Sequence, residues 1–159
     1  MAQRGLRRRR TGNEENDEGY GVMRVEGLRS SYDVVGGLVF FGRMLDKIRL
    51  HEAGRLPADY GRGGGLDARV CTFLNLDYER IVKQALAEPD DVRVLEWCFA
   101  QGRRPTEEEM LIFNAFMTKR GWRDEQSDDI RQRKAAMGLS HRDDLQTCFD
   151  IHDADEGRK

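Results

Sequence analysis

Val34, Leu38, Phe41, Leu45 and Ile48 recur at helical spacing, while Arg43, Asp46 and Lys47 fall on the other side. The pattern predicts an amphipathic helix from about Val35 to Glu52, with Gly54 just beyond as its C-terminal stop. Gly36, Gly37 and Gly42 would each cost that helix about 1 kcal/mol against alanine. Close packing of a neighbouring backbone is the reason expected for them. Arg55 to Gly65 reads as a loop, ending in the run Gly61 to Gly65 interrupted only by Arg62.

Shorter helical patterns follow, each with its own punctuation. Asp67 stands where it could cap a helix carrying Val70, Cys71, Phe73 and Leu74, and Asp77 one carrying Ile81, Val82 and Leu86. Pro89 and Asp90 open the next, with Val94, Leu95, Cys98 and Phe99 on its apolar face and Gly102 as its stop. Thr106 with Glu109 reads as a capping box leading into the most apolar helix, Met110 to Met117, which is therefore expected at the centre. Asp124 opens a polar helix to about Met137, closed by Gly138. Ser140 with Asp143 resembles a last cap, ahead of Leu145, Cys148, Phe149 and Ile151. No strand alternation and no fixed-period repeat stands out. The expectation is an all-α fold, a compact orthogonal bundle of about six or seven helices.

Composition narrows the picture. Residues 1–24 are poor in large apolar side chains and carry charge in blocks, Arg7 to Arg10 and then Glu14, Glu15, Asp17 and Glu18. This reads as a disordered charged tail, leaving residues 25–159 as a single all-helical domain. With 27 basic against 29 acidic side chains there is no global field to draw in nucleic acid or an anionic membrane. Cys71, Cys98 and Cys148 form no CxxC and no short disulfide framework. With no apolar leader and no long apolar run, a reduced cytoplasmic protein is expected, with no membrane among its partners.

Several blocks resemble, in order, a bacterial family catalogued as domain of unknown function 5069. They are Gly42-Arg-Met-Leu-Asp-Lys-Ile-Arg-Leu50, Leu66-Asp-Ala-Arg-Val-Cys-Thr-Phe-Leu74, Glu96-Trp-Cys-Phe99, Gly102-Arg-Arg-Pro-Thr-Glu-Glu-Glu109, Phe113-Asn-Ala-Phe-Met117, Lys119-Arg-Gly-Trp-Arg-Asp-Glu125 and Asp153-Ala-Asp-Glu-Gly-Arg158. The resemblance spans about Leu28 to Arg158. It brings no activity, cofactor or catalytic residue with it.

Candidate chemistry therefore rests on residue types and spacing. The glycine run ahead of a helix could cradle phosphate, but the specific phosphate motifs are absent. Cys148 and His152 are four apart and could share a metal, although Cys148 keeps register with core residues, and packing is the stronger reading. No Cys/His pattern marks a catalytic thiol. Neither a metal nor any other cofactor is expected. Arg43, Asp46, Asp67, Asn114, Trp97, Arg103 and Arg104 are the candidate walls and clamps of a small-anion pocket. Against this stands a plainer reading in which Arg43–Asp46 and Lys47–His51 are surface pairs, Asn114 ties a helix to a loop and the tryptophan fills space.

The leading functional expectation is a non-catalytic binding or protein-interaction domain, whose partner is a protein or a small anionic ligand. Next comes a small enzyme or ligand-binding protein for an anionic metabolite, using Arg43, Asp46, Asp67 and a clamp such as Arg103 or Arg104. Third is a nucleic-acid regulator using the N-terminal arginines and Lys119 to Lys134, a segment in which acidic residues interleave throughout.

Overall fold

The computed structural model describes residues 22–159, and in it the first apolar run is divided between two structures. Strands β1 (Val34–Val35) and β2 (Leu38–Val39) pair antiparallel, Val34 opposite Val39 and Val35 opposite Leu38, before helix α1 begins at Phe41 (Phe41–Glu52). Gly36 (φ 54°) and Gly37 (φ 85°) form the two-residue loop between them. Positive φ at both positions gives the turn whose twist suits a hairpin, which explains glycines that would only weaken a helix. The helix expected from Val35 thus starts six residues later, and a short hairpin exists where no strand was foreseen. Phe40, at the start of α1, adopts φ 68°, a costly conformation for a bulky residue. Its buried ring, stacked 5.9 Å from that of Phe149, holds it there.

Six helices follow: α2 (Leu66–Leu74), α3 (Tyr78–Ala87), α4 (Asp91–Gln101), α5 (Glu107–Lys119), α6 (Ser127–Ala136) and α7 (Cys148–Asp155). Seven helices and one two-residue hairpin make the described body all-α. Asp90 caps α4 by accepting the Arg93 amide, and Thr106 with Glu109 forms both bonds of the capping box on α5. Other caps differ from expectation. Asp67 lies within α2, its carboxylate turned elsewhere, and Asp77 occupies the N-cap position of α3 as expected but makes no side-chain cap bond. The last helix is capped by Thr147 and Asp150 rather than Ser140 and Asp143. The tail expected over residues 1–24 lies outside the described residues except for its last three, of which Met23 donates its amide to the Asp155 carbonyl (3.1 Å).

The centre of the fold is α1, not α5. Phe41 to Ile48 and Leu50 are all buried, charged residues included. The hairpin and α3 pack against it, α4 packs in turn on α3 and β1, and α7 closes the core through Phe149. In α5 only Phe113 and Met117 are buried, while Leu111, Ile112 and Phe116 face solvent. Counting apolar residues misplaced the centre because α1 takes its polar side inside with partners, whereas α5 leaves an apolar side uncovered. A second cluster joins α6 to α7 through Ile130, Met137, Leu145 and Ile151, and a third, Val25, Leu28 and Leu50, anchors the start of the described chain.

The end of α4 is fitted against the end of α2. Arg103 donates its amide to the Leu74 carbonyl (3.0 Å), and a Cβ on Gly102 would be driven into that same oxygen. Gly102→Ala is expected to destabilise the protein by about 2–3 kcal/mol, the range of an overpacked contact that backbone must absorb. Gly64→Ala, with nothing within 4 Å of the added methyl, should change stability by less than about 0.5 kcal/mol. Chemical denaturation measures both; equal midpoints for the two variants would contradict the packing described.

Candidate functional site

Burying α1 on all sides takes Arg43, Asp46 and Lys47 out of water, and each is met by charge from a different part of the chain. Arg43 donates to both carboxylate oxygens of Glu156 (3.1 and 2.5 Å) and to the Arg29 carbonyl (3.0 Å). Asp46 accepts from the Arg29 amide (2.9 Å) and from its guanidinium (2.8 Å). Arg29 lies across Gly42, where a Cβ would come 2.9 Å from Cζ, and reaches on to Asp91 (2.6 Å), which also accepts from Arg49 (2.5 Å). Lys47 donates to Asp67 (2.7 Å) and to the Gly61 carbonyl (3.0 Å). The surface pairs expected along α1 are therefore replaced by long-range pairs in the interior.

The C-terminal segment completes this layer. Arg158 pairs with Glu156 and donates to the Leu28 carbonyl. Ser30 donates to Asp153 (2.7 Å), Tyr32 to Asp150 (2.7 Å), and Lys159 to Asp150 (2.5 Å). Burial pushes the Glu156 carboxyl up, but the Arg43 and Arg158 guanidiniums together outweigh it and hold it below the usual glutamate range. Asp150 is likewise held low, burial being overcome by Lys159, the Gln146 amide and Tyr32.

Arg43, Asp46 and Asp67 thus share one interior layer, but each is occupied by its own partner. Asn114 belongs elsewhere. Its Oδ1 accepts from the Val39 amide (3.1 Å) and its Nδ2 donates to the Gly37 carbonyl (2.7 Å), fastening α5 to the hairpin. Arg104 pairs with Glu96 and lies over the Phe99 ring (4.7 Å). Arg103 donates to the Phe73 carbonyl (2.8 Å) and to Glu109 (2.9 Å). Trp97 is half-buried beneath Arg80, 5.7 Å from its ring. One open groove of about 540 Å³ brings together Arg104, Asn114, Phe99 and Leu111 beside the glycine turn; Arg43, Asp46 and Asp67 do not line it. Lys47 was read with Arg43 and Asp46 but assigned to a surface pair with His51, and Arg29, Asp91 and Glu156 were missed as members of the polar layer. Arg29 and Asp46 are separated by the hairpin and the first turn of α1, and no periodicity links them. Glu156 and Arg158 stand in the closing block Asp153 to Arg158, which was the available signal.

The remaining chemistry is largely internal. The glycine-rich loop has a carboxylate of its own: Gly63 donates its amide to Asp67 (2.8 Å) in the manner expected for a bound anion. Ser31 and His152 form a hydrogen bond of 2.7 Å to Nδ1, the contact of a nucleophile with its base, but Ser31 has no exposed surface for a substrate to reach. Among the described residues no group of three His, Cys, Asp or Glu side chains is placed to hold a metal, and no helix is long and apolar enough to cross a membrane. In the basic stretch Lys119 to Lys134, Arg120 bonds Asp124 (3.1 Å) and Glu125 (3.0 Å), and Arg131 pairs with Asp128. The Arg7 to Arg10 run lies outside the described residues.

A family model for a domain of unknown function matches residues 25–158, nearly the whole described body. The chain belongs to that family, DUF5069. No curated protein matches it at a significant level. The DUF5069 domain keeps its three cysteines unpaired and buried. Burial raises the Cys71 thiol to about 11 and the Cys98 thiol to about 12, and pushes Cys148 up as well. High thiol pKa and burial both oppose nucleophilic chemistry.

Two outcomes follow for this layer. Glu156→Gln should cost about 3 kcal/mol at neutral pH, since it leaves buried Arg43 facing a neutral amide. Because the folded pKa of Glu156 lies below the ordinary 4.5, its contribution is present above that value and is lost as pH falls through the depressed one. The stability gap between wild type and variant should therefore close on acidification; a gap constant from pH 7 to pH 3 would overturn the assignment. Second, the thiols should react with a disulfide reagent far more slowly in the native protein than in denaturant. A native thiol that reacts within seconds would contradict their burial.

Proposed function

We propose that this DUF5069 domain is a non-catalytic protein-interaction domain of the cytoplasm and that α5 is its docking surface. The observation that carries the reading is the outward face of α5, where Leu111 is 70%, Ile112 62% and Phe116 41% exposed. Leaving such side chains in water forgoes about 1 kcal/mol or more each. Grouped on one helix, they mark a surface that another apolar element covers. Glu107 and Glu108 lie at one end of this face, and Lys119 and Arg120 at the other. A fitting partner is an amphipathic helix with a basic end and an acidic end in the opposite order. Three unpaired, buried thiols suit a reducing compartment.

The alternative, a pocket for an anionic metabolite built on Arg43, Asp46 and Asp67, has less behind it. Arg43 is 3% exposed and already holds Glu156, so an incoming anion would have to displace a buried carboxylate. A nucleic-acid interface along Lys119 to Lys134 is weakened by the acidic partners of Arg120 and Arg131.

Replacing Ile112 by a photoreactive phenylalanine analogue tests the docking surface in cells that make the protein. Irradiation should yield a discrete protein adduct from position 112 and none from exposed Gln132 on α6. Equal adduct patterns from the two positions, or none from 112, would sink the reading.

A further inference from the structure

We infer that the partner of the α5 face is the α5 of a second copy of this chain, docked antiparallel about a two-fold axis. The inference rests on the reading of α5 as a docking surface and specifies its occupant.

At about 100° per residue, Glu108, Leu111, Ile112, Ala115, Phe116 and Lys119 fall on one face of α5, and the buried Phe113 and Met117 on the other. Glu108 and Lys119 lie within about 20° of one another around the axis and about 16 Å apart along it. The sequence of this stripe is acid, large apolar pair, small and large apolar pair, base. Reversed against itself, it matches. Glu108 meets Lys119 of the other copy, Leu111 meets Phe116, and Ile112 meets Ala115, every contact occurring twice. A two-fold interface requires such self-complementarity, because the same patch serves both partners. The large-against-small pairing of Ile112 with Ala115 lets the axes approach to the usual 8–10 Å or so.

Its surroundings favour the same occupant. Two guanidiniums, Arg69 and Arg120, each lie 5.6 Å from the Phe116 ring. Arg120 is already engaged by Asp124 and Glu125, so the basic end of the stripe is carried by Lys119. A heterologous helix would have to reproduce both the charge order and the size order of the stripe, and α5 itself already does. Residues 1–21 offer Met1, Leu6 and Tyr20 as large apolar side chains, set among arginines and acidic residues, and lack an apolar stripe to match. Roughly three turns of helix bury less than the 1,200–2,000 Å² or so of a standard interface, so a dissociation constant on the order of 10–100 µM is expected.

Sedimentation equilibrium of the full chain reads this directly. Wild type should dimerise, and Leu111→Glu should be monomeric across the same range with its melting temperature little changed. Glu108→Lys and Lys119→Glu should each weaken association about tenfold or more, because two-fold symmetry sets like charges together twice. Mixing these two single variants should restore wild-type association, as should the double exchange Glu108→Lys/Lys119→Glu. Loss of helix or fold in one variant cannot produce rescue on mixing. A wild type that stays monomeric to about 1 mM, or a dimer that survives Leu111→Glu, overturns the antiparallel pairing. If wild type is monomeric while photo-adducts at position 112 have the mass of another protein, the pairing fails and the docking surface stands. If no adduct forms at 112, both fall.

Discussion

The fold depends on keeping a charged helix inside. Once α1 is covered on all sides, Arg43, Asp46 and Lys47 lose water, a desolvation penalty of several kcal/mol per ion even after relaxation. That penalty can be offset only by opposite charge brought close in good geometry. The chain supplies it from three separate places: Arg29 ahead of the hairpin, Asp67 after the glycine loop, and Glu156 at the C-terminal end. Each ion pair fastens a segment that periodic hydrophobic packing would leave loosely placed. Pairs of this kind add little net stability over apolar residues of the same size, but removing one partner strands a charge, so a misdocked segment is strongly disfavoured.

Helix content, most helix ends and the Asp90 and Thr106 caps could be read from sequence because they follow local rules. Three features could not. The Gly36–Gly37 pair reads equally well as a flaw in a helix or as a hairpin turn, and long-range packing against Leu95 and Met110 decides between them. The burial of Arg43, Asp46 and Lys47 depends on residues up to 113 positions away, beyond the reach of any local pattern. Thr147 with Asp150 carries the same capping signal as Thr106 with Glu109, but Ser140 with Asp143 competes with it seven residues earlier, and only packing selects the later pair.

The candidate site residues divide for the same reason. Residue type alone marked Arg43, Asp46, Asp67 and Asn114 as candidate walls of an anion pocket, and each of them has a partner within the chain. Their partners then separate them: the first three hold the interior together, and Asn114 supplies the donor and acceptor that the hairpin lacks at its turn and second strand. A polar residue among apolar ones is thus a sign of a committed hydrogen bond as readily as of a ligand site.

Burial of α1 and exposure of α5 are linked. The interior has a limited volume, and the helix with the greater claim to it by apolar count is the one left at the surface. The claim is met differently: α1 needs partners that only this chain provides, in fixed positions, whereas the outward face of α5 needs nothing but apolar cover of the right shape. Intramolecular ion pairs must be made during folding, while an apolar stripe can stay half-covered and be completed by another molecule. Leaving Leu111, Ile112 and Phe116 outside is therefore the arrangement in which the demanding contacts are satisfied within one chain and the permissive one remains for association.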